Sequence, residues 1–302
     1  MNNTILVAGA TGNLGGKIVN ALIRKGADVR IVVRLESSKE KIEAFIKSGV
    51  TVYQIDMANS LEMKKACEDV SCVVSALAGL HETIIDAQLL LLNAAIAAGV
   101  PRFIPSDFST DFTNLIPGRN RNLDLRRDFH KRIEHSAIKV TTIFNGPFMD
   151  LLTGDMPLIL FKMKRVLYWG NPHVKMDFTT TYNVAEYTAS AALDNTTPRY
   201  LKIAGDIVSA TDIKDIVTQI TGKKFGFLHP GGIGLLNAII KMTKFFTKQN
   251  SELYPPWQGM QYMRDMMEGR VSLEPNHNDR YPVKWTSVKE YLISENIDKK
   301  LV

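Results

Sequence analysis

Along the first half of the chain, short apolar runs alternate with longer segments in which apolar residues recur every three to four positions. This is the signature of strands alternating with amphipathic helices. The runs predict strands at Thr4–Ala8, Asp28–Val33, Thr51–Gln54, Cys72–Ser75, Arg102–Pro105 and Val140–Phe144. Between them the helical period predicts helices at Gly12–Lys25, Ser37–Ser48, Ser60–Ala66, Thr83–Ala98 and Arg121–Ser136. Runs such as TILVA and VRIVV are apolar on both faces, as strands of a parallel sheet covered on both sides must be. The pattern therefore predicts an α/β fold, a Rossmann-type doubly wound parallel sheet, over residues 1–150.

After Phe144 the rhythm changes. A Pro- and Gly-marked stretch, NGPFMDLLTGDMP, leads to shorter strands at Arg165–Trp169, Lys175–Thr180 and Tyr200–Ile203. Helices are expected at Tyr182–Ala192, Ala210–Thr221, Leu235–Thr247, Trp257–Glu268 and Ser287–Glu295. Residues 151–302 read as a smaller, mixed α/β, substrate-facing region packed on the first.

Composition narrows the class. With 302 residues, 45% hydrophobic and 23% charged, the chain can bury a large core. The net charge of +6 is densest at Arg119–Arg127 and Lys241–Lys248, both interrupted by apolar or acidic residues. No zinc, helix-turn-helix or RNA-binding signature accompanies it, so direct nucleic-acid binding is not expected. MNNTILVAG enters a strand without the features of a signal peptide. The apolar helix at Ile84–Ala98 carries Asp86, Gln88 and Asn93 and falls short of the ~20 residues that span a bilayer. Cys67 and Cys72 have no metal-like spacing. A cytoplasmic protein without metal or membrane partner is expected.

The first strand ends in Gly9-Ala10-Thr11-Gly12-Asn13-Leu14-Gly15 and opens a helix. Glycine at 9 permits the sharp turn, at 12 a close approach of backbone to a pyrophosphate, and at 15 close packing of helix on strand. The free N–H groups and dipole of the new helix favour the anion. A dinucleotide is the expected ligand. At the end of the second strand, where a carboxylate would hold the ribose 2′-OH of NAD, stands Arg34, followed by Lys39 and Lys41. These cations suit the 2′-phosphate of NADP(H), although Glu36 is nearby.

GATGNLG, Arg34, SALAG (75–79), PSDF (105–108), NGPF (145–148) and NDRYPVKWTSVKEYL (278–292) occur in this order. Together they resemble the NmrA-like family of atypical short-chain dehydrogenases, in particular the branch of isoflavone reductases and phenylcoumaran benzylic ether reductases. The resemblance spans essentially the whole chain. It implies that Gly9, Thr11, Gly12, Asn13 and Leu14 hold the pyrophosphate and that Arg34 meets the 2′-phosphate. It further implies that Ala76 and Ala78 line the cofactor, with Phe108 and Asn145 nearer the nicotinamide.

No tyrosine has lysine four residues on, so the Tyr-x-x-x-Lys pair of most short-chain dehydrogenases is missing; Tyr182 is followed by Asn-Val-Ala-Glu. The reductase branch places a catalytic lysine in a K-x-x-V-R-R-A-I-E pattern. Matching Ile133-Glu134 to it puts Arg126 at that lysine. Arginine stays protonated and can bind an oxyanion but not shuttle a proton. His130 lies one turn further on the same face, so Arg126 and His130 could bind and protonate an oxyanion as hydride arrives. Lys131 lies about 140° around the helix from Arg126 and is no simple substitute. Asp107, Asp111, Asp177 and Tyr281 have no partner at a diagnostic spacing.

Residues 161–267 are rich in Phe, Trp and Met. Such residues can line an apolar pocket, although Met260, Met263 and Met267 share helical spacing and suit a core. By analogy with the family the substrate is a small aromatic or conjugated compound. Two functions stay open: an NADPH-dependent reductase, or an NADP(H) sensor acting through a protein partner without turnover.

Overall fold

A computed structural model describes residues 3–154, 157–247, 252–297 and 299. Six parallel strands form the main sheet: β1 (Thr4–Ala8), β2 (Asp28–Arg34), β3 (Thr51–Ile55), β4 (Cys72–Ser75), β5 (Arg102–Ile104) and β6 (Lys139–Val140). Their order is β3-β2-β1-β4-β5-β6. The order reverses between β1 and β4, the switch point at which ligands of such sheets bind. The linking helices are α1 (Asn13–Arg24), α2 (Lys39–Lys47), α3 (Ser60–Cys67), α4 (Gln88–Ala97) and α5 (Arg121–Ile133).

Strand side chains alternate between two cores, which is why the strands are apolar throughout. Ile5 and Val7 of β1 enter one core with Ile18 and Leu22 of α1; Leu6 and Ala8 enter the other with Met63, Leu91 and Phe129 of α3, α4 and α5. Burying each such Leu or Ile contributes about 1.5–3 kcal/mol.

Two predicted elements are subdivided. The run at 140–144 does not form one strand. Val140 pairs with Phe103 in the main sheet, while β7 (Thr142–Phe144) turns away to pair with β11 (Tyr200–Lys202). The Thr141 hydroxyl is taken by Thr197 and Pro198, so the chain bends there. The helix expected from Thr83 begins as a π-turn over Glu82–Ala87 and becomes α-helical only at Gln88.

The later half adds β8 (Ile159–Leu160), β9 (Arg165–Leu167), β10 (Met176–Phe178), β12 (Asp206–Val208) and β13 (Gly226–Leu228). Of these, β8, β12 and β13 were not expected. Each has two or three residues, too few for a periodicity, and exists only through its pairing, β12 with β10 and β13 with β9 far along the chain and β8 with β9 in a local hairpin. The helices are α6 (Thr181–Leu193), α7 (Ala210–Thr221), α8 (Ile233–Phe246), α9 (Pro256–Met267) and α10 (Val288–Ser294). Reciprocal capping boxes, Ser209 with Asp212 and Ser287 with Glu290, start α7 and α10 where the sequence predicts. Met263 and Met267 are buried in a separate core with Trp169, Leu236 and Leu292, and Met260 packs against it.

The chain returns to the first core after residue 150. Helix α6 buries Val184, Tyr187 and Ala191 among the residues of α1 and β1, and Glu186 pairs with Arg24. Buried Arg102 of β5 donates to the carbonyls of Ala191, Ala192 and Asp194 at the end of α6, where cations complement the helix dipole. Among the described residues no helix is long and apolar enough to cross a membrane, and no group of His, Cys, Asp and Glu could hold a metal ion.

Candidate functional site

At the end of β1, Gly9 turns with φ +85°. A Cβ there would also lie 2.5 Å from the Ala76 carbonyl oxygen that follows β4. Gly12 N–H closes the turn onto Gly9 O at 3.0 Å. A Cβ on Gly15 would lie 2.1 Å from the same oxygen, so helix and strand approach as closely as two glycines permit. Helix α1 then starts with no side chain capping it and no acidic residue in its first turn. Such an end offers backbone N–H groups and positive potential to an anion. Lys41 Nζ donates to Thr11 O at 3.0 Å and Lys17 to the Asn13 side chain, adding cations beside the turn. Arg34 ends β2 and Lys39 starts α2, both exposed. Gln54 of β3 holds Leu35 O at 2.6 Å and so fixes the turn after Arg34. The residues present suit a pyrophosphate and a further phosphate.

The neighbouring loop carries Ala76, half-buried, and Ala78, exposed. It is tied to the PSDF loop because Ser106 Oγ donates to Leu77 O at 2.6 Å. Ser106 N–H donates to Gln88 Oε1 at 2.8 Å, and Gln88 Nε2 to Ile84 O at 3.0 Å. Gln88 is fully buried, and the π-turn before it sets where its side chain arrives. Its role was not foreseen; the one signal was a polar residue inside an otherwise apolar helix.

Arg126 and His130 of α5 both reach this loop. Arg126 Nε donates to Ser106 O and Nη1 to Asn122 O, each at 3.0 Å. Among the described residues no partner takes its Nη2, and the guanidinium counters the upward push of burial on the half-buried Tyr262 hydroxyl of α9. His130 Nε2 lies 2.6 Å from Asp107 Oδ2. Asp107 thus gains the partner that sequence spacing failed to supply, 23 residues away. Thr142 Oγ1 donates to the same oxygen at 2.8 Å, and Arg199 Nη1 donates to Thr142 Oγ1 at 2.7 Å. Burial pushes the Asp107 carboxyl up, but His130 beside it, the two hydrogen bonds and the field of Arg126 hold it below its ordinary value. Asp107 and the Thr142 hydroxyl meet the same ring nitrogen, so this is no nucleophile relay, in which base and orienting acid use opposite nitrogens.

Phe108 and Asn145 are buried where the PSDF and NGPF loops meet. Asn145 N–H donates to Ser109 O at 2.9 Å, and Thr179 Oγ1 donates to Asn145 O at 2.7 Å. The Asn145 Oδ1 is buried without a partner. Asp111, likewise without a predicted partner, pairs with Lys202 of β11 at 2.9 Å. Asp177 is buried against Leu273 N–H; burial, aided by Glu274, pushes its pKa up to about 6. Two candidates lie elsewhere: Tyr281 bonds Asp194 at 2.7 Å against α6, and Tyr182 is exposed beside Arg24.

A glycine-lined turn between strand and uncapped helix, at the switch point of a doubly wound sheet, defines a Rossmann-type dinucleotide-binding fold. Residues 1–292 match the model of the NmrA-like family, and the chain belongs to that family. It is 32% identical over 237 residues to the bifunctional pinoresinol-lariciresinol reductase of Linum usitatissimum, spanning 73% of this chain and 75% of that protein. The fold is shared with the structure of AtPrR2 with NADP+ and (+)pinoresinol, at a TM-score of 0.82 and 24% identity over 100% of this chain and 99% of that one. It is shared equally with isoflavone reductase, at a TM-score of 0.82 and 20% identity over 98% of this chain and 100% of that one.

Proposed function

We propose that this protein is an NADP(H)-dependent reductase that delivers hydride to an aromatic or conjugated substrate. The observation that carries the reading is one continuous chain of contacts. It runs from the Gly9–Leu14 turn, through Ala76 and Leu77, to Ser106 and the Arg126 guanidinium, each joined to the next by a contact or hydrogen bond. The kinship with pinoresinol-lariciresinol reductases supports an aryl substrate.

In this reading the first N–H groups of α1, with Gly12, bind the pyrophosphate, and Arg34 with Lys39 binds the 2′-phosphate. Ala76 and Ala78 leave room beside the cofactor, and Phe108 and Asn145 bound its nicotinamide end. When bound, NADPH supplies the hydride. Arg126 keeps N–H donors available to an oxygen that gains negative charge as the substrate is reduced, and stabilises it without transferring a proton. Residues beyond 150, chiefly those of α8 and α9, face the substrate. Cys67 and Cys72 are free, and burial pushes their pKa values up to about 12 and about 11, so both stay as unreactive thiols, in keeping with a reducing cytoplasm.

The test is transfer of deuterium from C4-labelled NADPH to pinoresinol and to a panel of aryl enones and quinones, followed by mass spectrometry. Label in a reduced product is expected. NADPH that binds tightly yet reduces no member of the panel would overturn the reading in favour of a sensor.

A further inference from the structure

We propose that His130 is a positioning residue: with Asp107 and Thr142 it braces the PSDF loop against the cofactor, and it neither gives nor takes a proton in the reaction. The inference rests on the reductase reading and assigns the part of its site that the sequence leaves ambiguous.

A general acid must present its proton to the substrate. The Nε2 of His130 is spent on Asp107 Oδ2 at 2.6 Å, and that carboxylate is 1% exposed. The ring is 11% exposed, with Phe112 against it at a centroid distance of 4.9 Å and Tyr200 at 6.4 Å. Tyr200 is itself stacked on Phe144 of β7. Swinging the imidazole out would strip a buried carboxylate of a charged or dipolar donor, a change that buried anions resist strongly.

What the ring does instead follows from its partners. Asp107 Oδ2 collects His130 from α5 and Thr142 from β7, and Arg199 secures the Thr142 hydroxyl from the segment that enters β11. One residue before Asp107, Ser106 is held by Arg126, Gln88 and Leu77. Phe108 is the next residue and Asn145 lies three beyond Thr142. The loop at the nicotinamide end is therefore fixed by two side chains of one helix, a turn apart, and by the strand that leads into NGPF. Small displacements of such a loop are costly, because misplacement on the order of 1 Å can cost about 10²-fold in rate.

Glutamine separates positioning from proton transfer: its amide can donate to Asp107 but cannot supply a proton at any useful pH. The parent, His130→Ala, His130→Gln and Thr142→Val are compared in two measurements. One is hydrogen exchange at the Ser106 and Asp107 amides with NADP+ bound. The other is steady-state reduction of an aryl substrate, kcat and KM separately. His130→Ala and Thr142→Val are expected to speed exchange at those amides. His130→Ala should lower kcat by roughly 10- to 100-fold with KM nearly unchanged. His130→Gln should restore both the slow exchange and most of kcat.

His130→Gln as inactive as His130→Ala, with parent-like exchange, would make His130 the proton donor and overturn the proposal. Parent-like exchange in His130→Ala would overturn it independently of turnover. Should the parent reduce no substrate, the reductase reading fails, while the exchange results still decide whether the brace exists.

Discussion

A methyl or isopropyl group at residue 12 should remove cofactor binding without unfolding the protein, whereas the same change three residues on should disturb the turn itself. Gly12 has φ −82° and ψ 170°, a conformation open to any L-residue, and a Cβ there would meet only Gly9 O, at 3.3 Å. Glycine's extra freedom in the unfolded chain is lost on substitution, which stabilises by about 0.4–1 kcal/mol where the native backbone allows it. That gain roughly offsets one tight contact, so the melting temperature of Gly12→Val should lie close to the parent's. The side chain would nevertheless stand where the pyrophosphate approaches the backbone. Losing two charge-assisted hydrogen bonds at about 1.5–3 kcal/mol each predicts about 3–6 kcal/mol, or more than a hundredfold in Kd for NADPH. For Gly15→Ala the Cβ would overlap Gly9 O at 2.1 Å and Gly9 C at 2.7 Å, backbone atoms that must move. This variant should lose both stability and binding. Thermal unfolding with and without NADPH, and fluorescence titration of the cofactor, give both quantities. A folded Gly12→Val protein that binds NADPH within about threefold of the parent would refute the assignment of this turn to the pyrophosphate.

Arg34→Ala should weaken NADPH by about 1.5–3 kcal/mol, or roughly 10- to 100-fold, and leave NADH unchanged; equal losses for both cofactors in parallel titrations would remove Arg34 from the 2′-phosphate. Arg126→Met should lower kcat by about 10²- to 10³-fold with NADPH affinity intact, the scale for one lost oxyanion donor; steady-state kinetics at saturating cofactor test it, and an undiminished kcat would exclude the guanidinium. Burial raises the Asp177 pKa from its ordinary 3.8 to about 6, so the folded form holds its proton more tightly. Its contribution to stability is therefore lost as pH rises from about 4 through about 6, by about 3 kcal/mol at most. Asp177→Asn should gain on the parent across that window and keep the gain above it, measured by urea unfolding at a series of pH values; a difference independent of pH would contradict this.

Periodicity and glycine placement were sufficient for the sheet, its covering helices and the glycine turn after β1. These are local properties: alternation reports which faces are buried, and Gly9, Gly12 and Gly15 act within one strand-turn-helix unit. The position of Arg34 at the end of β2 was legible for the same reason, because that end follows from a short apolar run. The three unforeseen strands were not legible, since two or three residues carry no period, and two of them, β12 and β13, are defined by partners far along the chain. The chemistry at α5 divides in the same way. Spacing placed Arg126 and His130 on one face of a helix, which is a fact of helical geometry. That this face meets Ser106 and Asp107, and that Asp107 also takes Thr142, depends on β5, α5 and β7 converging. Sequence separations of 20 to 35 residues leave no trace in composition or period. A histidine with a buried carboxylate and a histidine in solvent look alike on the same helical wheel. Only the packing of the loop onto the helix distinguishes them, because burial turns the hydrogen bond from an option into a requirement.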